Sequence, residues 1–179
     1  MKLILLDRDG VINHDSDDFI KSAQEWNAIP GSLEAIARLC HNGYHVIIVS
    51  NQPGLARKRF DIIALNEIHR KMLDHLAQYG GTIDAIFFCP HGPRQNCECR
   101  KPKPGLLKTI SNRLRTSLVD VPFVGDKLSD IDAARAVGAS PILVRTGKGQ
   151  ALVDADQVPK NVFVYDDLAA VADDLISAK

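Results

Sequence analysis

Residues 3–13 read Leu-Ile-Leu-Leu-Asp-Arg-Asp-Gly-Val-Ile-Asn, a short apolar run that ends in two aspartates one residue apart and a glycine. Such a run is typical of a strand buried on both faces of a parallel sheet. Ligands of open α/β sheets bind just beyond the carboxyl ends of the strands, so Asp7 and Asp9 would stand at the mouth of a site. Two carboxylates this close repel each other, and a cation such as Mg²⁺ would relieve the repulsion. An acidic turn without a ligand would use the same residue types.

Length and composition limit the class of protein. The chain has 179 residues, enough for one domain with a substantial core, and we expect a single domain over residues 1–179. It carries 22 basic and 22 acidic residues, so its formal net charge is zero. Proteins that bind nucleic acid or membrane surfaces usually have a basic face, and we therefore expect neither partner. We recognise no signal peptide and no apolar stretch of membrane-spanning length, which predicts a cytoplasmic protein, and we expect a monomer.

Strand-like and helix-like segments alternate along the chain. Strands are predicted at 2–6, 44–49, 83–88, 121–124 and 141–144, with a weaker sixth at 161–164. A long helix is predicted to begin after Asp61, with an inward face formed by Ile62, Leu65, Ile68, Met72 and Leu76. The polar segments 14–27 and 147–160 are expected to be a flap over the site and a surface loop. This alternation predicts an α/β fold with a doubly wound, mainly parallel sheet and helices on both faces.

Polar residues suited to phosphoryl transfer follow several predicted strands. Two aspartates follow the first strand, Ser50-Asn51 the second and Gly125-Asp126-Lys127 the fourth, while Lys101 precedes the fourth. All strand ends of a parallel sheet lie at one edge, so these residues can meet there. Phosphoryl transfer needs a nucleophile, a cation and donors for the phosphoryl oxygens, and this set supplies all three functions.

Four segments carry a resemblance to a known family: Asp7-x-Asp9-Gly10, Ser50-Asn51, Lys101 and Gly125-Asp126-x-x-x-Asp130. In this order they resemble the motifs of the haloacid dehalogenase superfamily of phosphatases, over almost the whole chain. Asp-Arg-Asp-Gly, Asn-Gln, Cys-Pro-His and Cys-Arg-Lys-Pro-x-Pro-Gly are similar to its branch of heptose-bisphosphate and histidinol-phosphate phosphatases. The resemblance implies a Rossmann-like fold and a Mg²⁺-dependent phosphatase. The sequence offers no insertion for a large cap domain, so we expect none.

The resemblance also implies a role for each matching residue. Asp7 would attack phosphorus and form an aspartyl-phosphate, and Asp9 would act as general acid and base. Mg²⁺ would be held by the Asp7 carboxylate, the Asp9 backbone carbonyl and Asp126. Ser50 and Lys101 would stabilise the transferring phosphoryl group. The residues expected to contact the substrate are Arg100, Asn51, Gln52, Pro53, Asp15, Ser16, Asp17, Asp18 and Lys127.

A cysteine-rich segment places three thiols and one imidazole within eleven residues, at Cys89, His91, Cys97 and Cys99. Three cysteines and one histidine commonly hold Zn²⁺, although pairs one residue apart are tighter than the usual zinc-finger spacing. A loop with free thiols is the alternative. The resemblance implies a structural zinc, because the branch carries a zinc-stapled loop at this point. That zinc would order the loop leading into Arg100 and Lys101.

Several functions fit these residues. The resemblance favours removal of the 7-phosphate of D-glycero-D-manno-heptose 1,7-bisphosphate, a step in making the heptose precursors of lipopolysaccharide. Histidinol phosphate or another small phosphomonoester is the alternative substrate. A phosphorylated receiver module is disfavoured by Asp9, because a general acid and base beside the nucleophile would destroy the signal. A zinc-stapled nucleic-acid module is disfavoured by the zero net charge and the lack of a basic, aromatic stripe.

Overall fold

A six-stranded sheet forms the centre of the protein, in a computed structural model that describes residues 2–178. Its strands are β1 (Lys2–Leu6), β2 (Tyr44–Asn51), β3 (Ala85–Cys89), β4 (Pro122–Gly125), β5 (Ser140–Val144) and β6 (Phe163–Tyr165). They lie in the order β3-β2-β1-β4-β5-β6, and every pair is parallel. The strand order reverses between β1 and β4, which makes the carboxyl ends of these strands the expected ligand site. The predicted doubly wound sheet is confirmed, with its sixth strand.

Helices cover both faces of the sheet. They are α1 (Ser32–His41), α2 (Ile62–Gln78), α3 (Gly105–Leu114), α4 (Leu128–Arg135), α5 (Gly149–Asp154) and α6 (Leu168–Ser177), with a short 3-10 helix at Pro93–Gln95. Successive side chains of β1 point to opposite faces. Ile4 and Leu6 join a core with α1, α2 and α6, whereas Leu3 and Leu5 join a core with α3 and α4. This double burial explains the continuous apolar run that opens the chain.

The long helix α2 follows most of its sequence pattern. The Asp61 carboxylate caps it by accepting a hydrogen bond from the backbone N–H of Ala64 at 2.8 Å. The predicted inward residues Leu65, Ile68, Met72 and Leu76 are buried. The prediction for Ile62 is wrong, since its side chain is 48% exposed. Ile62 lies on the same stripe, but it is the first residue of α2.

Two polar segments are more ordered than the sequence predicts. Segment 147–160, predicted as a surface loop, contains α5, whose six residues are too few to show a helical period. Segment 14–27 consists of turns, but its Ile20 and Trp26 are buried in the core, so only part of it can act as a flap. No inserted cap domain is present within residues 2–178. None of the helices in that range is long and apolar enough to cross a bilayer.

Two glycines let the loops after β1 and β5 approach the end of β4. A Cβ at Gly10 would lie 2.1 Å from Oδ2 of Asp126, and a Cβ at Gly147 would lie 2.2 Å from the same oxygen. The φ angles of these glycines, +89° and +60°, also disfavour any side chain. Three loops therefore meet at the Asp126 carboxylate.

Candidate active site

A cavity of about 310 Å³ opens at the carboxyl edge of the sheet. The loops after β1 to β5 all contribute to its lining, through Asp7, Asn51, Arg100, Lys127 and Lys148 among others. The predicted site residues that line it are Asp7, Asp9, Asp15, Ser16, Asp17, Asn51, Gln52, Pro53, Arg100, Lys101 and Lys127. Ser50 and Asp126 are buried and do not line the cavity themselves. Asp18 does not line it either, and its carboxylate pairs instead with Lys21 and Arg59.

A buried lysine joins two carboxylates on the cavity floor. The Lys101 Nζ lies 3.0 Å from Oδ1 of Asp7 and 2.7 Å from Oδ1 of Asp130, and it donates to the carbonyl oxygen of Val49 at 2.6 Å. Burial raises the pKa of Asp7, and the nearby Lys101 only partly opposes that effect. Burial alone would lower the pKa of Lys101, but Asp130 and Asp7 outweigh it and raise the pKa. Lys101 is therefore held charged beside Asp7.

Asp126 lies next to this group at the end of β4. Its Oδ1 accepts a hydrogen bond from the Lys127 Nζ at 3.0 Å, and its Oδ2 accepts one from the backbone N–H of Lys148 at 2.8 Å. Burial raises the pKa of Asp126 to about 7; Lys127 opposes this rise, while Asp7 and Asp130 add to it. The floor thus concentrates more negative charge than its lysines neutralise.

The donor set fits a divalent cation with a preference for oxygen. Carboxylate oxygens of Asp7, Asp126 and Asp130 lie within 4.8 Å of one another. Both oxygens of Asp130 are already engaged, Oδ1 with Lys101 and Oδ2 with the backbone N–H groups of Asp126 and Lys127. Both oxygens of Asp126 are engaged as well, with Lys127 and the backbone N–H of Lys148, whereas Asp7 is engaged only through Oδ1 among residues 2–178. The three carboxylates together could therefore provide oxygen ligands for Mg²⁺, which binds through few carboxylates and completes its shell with other oxygens.

The Asp9 carboxylate is held by three neighbours. Arg8 Nη2 donates to its Oδ1 at 2.8 Å, Asn13 Nδ2 donates to the same oxygen at 2.9 Å, and Gln52 Nε2 donates to Oδ2 at 2.8 Å. Burial alone would raise the pKa of Asp9, but the Arg8 guanidinium and these hydrogen bonds outweigh it and hold the pKa below its usual range. Arg8 is itself fully buried, and its Nη1 lies 3.3 Å from Nε2 of His69 on α2.

Two predicted residues at the end of β2 contact other side chains of the site. The Asn51 amide pairs with the backbone of Lys101: Oδ1 accepts from its N–H and Nδ2 donates to its carbonyl oxygen, both at 3.1 Å. The Ser50 Oγ accepts a hydrogen bond from Gln52 Nε2 at 2.8 Å. Asn51 thereby fixes the backbone that carries Lys101, and Gln52 links Ser50 to Asp9.

Ion pairs cross the mouth of the cavity. The Lys127 Nζ lies 3.2 Å from Oδ2 of Asp15, and the Lys148 Nζ pairs with Asp17. Both aspartates come from segment 14–27, so this segment is tied to the loops after β4 and β5.

Sequence reasoning missed several residues of this site, among them Arg8, Asn13, Phe19, Lys148 and His69. Arg57 also lines the cavity, and no motif assigns it a role. Each lies outside the recognised motifs or between their defining positions. Only the presence of an arginine between two aspartates was a signal, because such a side chain would have to be paired.

The four predicted zinc ligands form one cluster. The Sγ of Cys89 lies 3.6 Å from the Nδ1 of His91, 3.6 Å from the Sγ of Cys97 and 3.2 Å from the Sγ of Cys99. A tetrahedral zinc site places its ligand atoms about 3.5–3.8 Å apart, close to these distances. Burial, with the contact to Cys99, raises the pKa of the Cys89 thiol to about 12, so a cation at the centre is what would make it a thiolate. The cluster could hold a structural zinc.

Comparison with known proteins agrees with this fold. The HAD-hydrolase-like family model matches residues 98–171. The D-glycero-beta-D-manno-heptose-1,7-bisphosphate 7-phosphatase of Bordetella bronchiseptica is 53% identical over 98% of both chains. The Pseudomonas putida protein of the same name is 48% identical, over 98% of this chain and all of its own.

Solved structures of similar proteins also carry the name of a heptose-bisphosphate phosphatase. The D,D-heptose 1,7-bisphosphate phosphatase from B. bronchiseptica, complexed with magnesium and phosphate, superimposes with a TM-score of 0.97 at 52% identity, over the full length of both chains. The D,D-heptose 1,7-bisphosphate phosphatase from Burkholderia thailandensis superimposes with a TM-score of 0.78 at 44% identity, over 99% of both chains.

The fold and the acidic cluster define a hydrolase of the haloacid dehalogenase superfamily, the class of protein that the sequence motifs predict. Within that class, the chain belongs to the family of D-glycero-beta-D-manno-heptose-1,7-bisphosphate 7-phosphatases, because it shares 48–53% sequence identity with members of that family over nearly its whole length.

Proposed function

We propose that this protein is a Mg²⁺-dependent phosphatase that removes the 7-phosphate of D-glycero-β-D-manno-heptose 1,7-bisphosphate. The observation that carries this proposal is the buried group of Asp7, Lys101 and Asp126 at the cavity floor, in a chain 53% identical to a phosphatase named for that substrate. The product would be a heptose 1-phosphate, a precursor for lipopolysaccharide.

Asp7 is the nucleophile of this reaction. Its Oδ1 accepts hydrogen bonds from the Lys101 Nζ at 3.0 Å and from the backbone N–H of Arg8 at 2.8 Å. No residue within 2–178 occupies its Oδ2, which leaves that oxygen to attack phosphorus and form an aspartyl-phosphate. Mg²⁺, held by the Asp7 carboxylate, the Asp9 backbone carbonyl and Asp126, would neutralise phosphoryl oxygens and keep Asp7 ionised.

Asp9 transfers the protons. It gives one to the sugar oxygen at C7 as the bond from phosphorus to that oxygen breaks, and it then takes one from the water that hydrolyses the aspartyl-phosphate. Its contacts with Arg8, Asn13 and Gln52 hold the ionised form, which suits the second step. A phosphate dianion beside Asp9 adds negative charge and raises its pKa, which favours the protonated form needed for the first step.

The remaining predicted residues support the phosphoryl group or the sugar. Lys101 and Ser50 stabilise charge on the phosphoryl oxygens, and Asn51 acts by fixing the Lys101 backbone. Substrate contacts come from lining residues around the mouth, namely Asp15, Ser16, Asp17, Gln52, Pro53, Arg100 and Lys127. Pro53 has no N–H to donate, so its contact is through the ring or the carbonyl. Asp18 contributes through its ion pair with Arg59 rather than by contact.

The zinc at Cys89, His91, Cys97 and Cys99 is structural in this proposal, since four protein ligands leave no position for a substrate. The protein works as a single domain over residues 1–179, as a cytoplasmic monomer without nucleic-acid or membrane partners. The equal numbers of acidic and basic residues support the absence of nucleic-acid and membrane-surface partners.

The first experiment compares phosphate release from the β-anomer of heptose 1,7-bisphosphate and from histidinol phosphate, in the presence of Mg²⁺. We expect kcat/KM for the heptose to be higher by about 100-fold, which corresponds to about 2.7 kcal/mol of transition-state binding. A preference for histidinol phosphate would keep the chemistry but reject the proposed substrate. Absence of turnover on both would reject the proposal.

A further inference from the structure

Arg57 lines the cavity without a part in the reaction at phosphorus. We propose that the Arg57 guanidinium binds the second phosphate of the substrate, the one that is not hydrolysed. It would thereby determine specificity for a sugar bisphosphate over a monophosphate. This inference rests on the proposed function, because a bisphosphate supplies the second anion.

The charge pairing in the cavity separates Arg57 from the lysines. The lysines that line it are each paired with carboxylates: Lys101 with Asp7 and Asp130, Lys127 with Asp15 and Asp126, and Lys148 with Asp17. Arg57 and Arg100 have no carboxylate partner among residues 2–178, and Arg100 donates instead to the carbonyl oxygen of His91 at 3.3 Å. A second anion that enters the cavity therefore meets two guanidinium groups that no carboxylate neutralises. A guanidinium matches the geometry of a phosphate better than an ammonium group does.

The position of Arg57 fits the far end of a substrate. Asp7 on the floor is 4% exposed, whereas Arg57 is exposed at the rim, on the loop after β2. A phosphate seated on Asp7 and Lys101 would lie on the buried floor, whereas Arg57 offers its positive charge at the exposed edge of the cavity. A substrate with a phosphate at each end of a sugar would have one anion for each position.

An aromatic ring holds Arg57 in place. The guanidinium carbon lies 5.5 Å from the centroid of the Phe19 ring, and Phe19 also lines the cavity. Phe19 has φ +64°, a left-handed backbone conformation that is rare and unfavourable for a bulky residue. The turn adopts this costly conformation and so places the ring beside Arg57. A guanidinium over a ring keeps its in-plane N–H groups available to donate to a phosphate.

An ion pair between Asp18 and Arg59 also connects the two segments that carry Phe19 and Arg57. It ties the turn that carries Phe19 to the loop that carries Arg57. Arg57 is therefore restrained before substrate binds, which reduces the entropy lost when it grips a phosphate.

The test compares Arg57→Gln with the wild type on two substrates, heptose 1,7-bisphosphate and heptose 7-phosphate, which lacks the second anion. We expect kcat/KM for the bisphosphate to fall by about 30-fold, or about 2 kcal/mol, with kcat/KM for the monophosphate changed by less than about 2-fold. Arg57→Lys should lose about 5-fold on the bisphosphate, because it keeps the charge but not the paired N–H groups. Heptose 1-phosphate, the product, should inhibit Arg57→Gln more weakly by a factor similar to the loss in kcat/KM.

Lys58→Gln is the matched control, since it removes one positive charge from an exposed neighbour outside the cavity. Its kinetics should equal those of the wild type, which separates a local contact from a general change in charge. If Arg57→Gln loses kcat/KM equally on both substrates, or on neither, the inference is wrong. Turnover of the bisphosphate by the wild type would in that case still support the proposed function. If the wild type does not hydrolyse the bisphosphate, the proposed function has failed and this inference fails with it.

Discussion

The acidic cluster and the cysteine loop both gather metal-binding side chains, but the fold supports them to different degrees. Asp7 and Asp126 follow parallel strands, and hydrogen bonds from Lys101, Lys127 and backbone N–H groups fix their oxygens. The segment 90–104 contains only a three-residue 3-10 helix, and its sulfur atoms contact mainly one another and His91. The acidic cluster should therefore keep its shape without a metal, whereas the cysteine loop should depend on one.

Replacing Asp7, the proposed nucleophile, should separate activity from stability most strongly. Asp7→Asn removes the carboxylate that is proposed to attack phosphorus but leaves Lys101 paired with Asp130, so the fold should persist. We expect phosphate release to fall by at least about 10⁴-fold, equivalent to about 5.5 kcal/mol in the barrier, with Tm within a few degrees of the wild type.

Steady-state phosphate release and calorimetry measure both effects. Asp132→Asn, at an exposed position of α4, is the control for loss of one carboxylate and should keep full activity. Turnover above one per cent of wild type in Asp7→Asn would be incompatible with Asp7 as the nucleophile.

Loss of the zinc should act first on stability. Purified protein should contain about one zinc per chain, and Cys97→Ser should lose it, because three ligands hold zinc less tightly than four. We expect the free energy of unfolding to fall by about 4 kcal/mol and Tm by about 12 °C.

Elemental analysis and calorimetry test this, with Cys40→Ser as the control. Cys40 lies outside the cluster and donates to the carbonyl oxygen of Thr82, so its variant should keep the zinc. A Cys97→Ser protein with unchanged metal content and Tm would show that the loop does not depend on zinc.

Breaking the support of Lys101 tests how firmly the floor is fixed. Asp130→Asn leaves Lys101 with one carboxylate and weakens the acceptor for the backbone N–H groups of Asp126 and Lys127. We expect a loss of about 3 kcal/mol in the free energy of unfolding, as for other broken buried ion pairs, and a drop of about 10-fold to 100-fold in kcat. Urea denaturation and kinetics measure these changes; wild-type values for both would mean that Lys101 needs no second carboxylate.

The smallest expected effect is the pH dependence of stability that arises from His69, which contacts Arg8, the partner of Asp9. Burial, and then the positive charge of Arg8, lower the pKa of His69 to about 4. In the unfolded chain this pKa is about 6.5, so the unfolded state binds more protons between those values and His69 destabilises the fold as pH falls through that range. At pH 5 the cost is about 2 kcal/mol relative to neutral pH.

His69→Gln keeps an acceptor for Arg8 but cannot titrate. The free energy of unfolding of the wild type should therefore fall by about 2 kcal/mol more than that of His69→Gln between pH 7 and pH 5. Denaturation at the two pH values measures this difference, and the carboxylates common to both proteins cancel. Identical pH dependence in the two proteins would contradict a neutral, buried His69.

Much of the fold could be predicted because the signals are local. Buried parallel strands read as continuous apolar runs, and the Asp61 cap marks the start of α2 within one residue. The errors also have local causes. α5 is too short to show a period, and the exposure of Ile62, the first residue of α2, does not follow from its place in the stripe.

The sequence by itself determined the parallel α/β architecture, the motifs at the strand ends and the four-ligand cysteine cluster, because each rests on residue types at short spacing. Only the tertiary structure decided which acid pairs with which lysine. Asp130 engages Lys101, Asn51 holds its backbone, and Arg57 is left facing the cavity over Phe19. These contacts depend on distances of a few ångströms between loops that are far apart in the chain. Strand order and packing determine those distances, and local sequence patterns do not encode them.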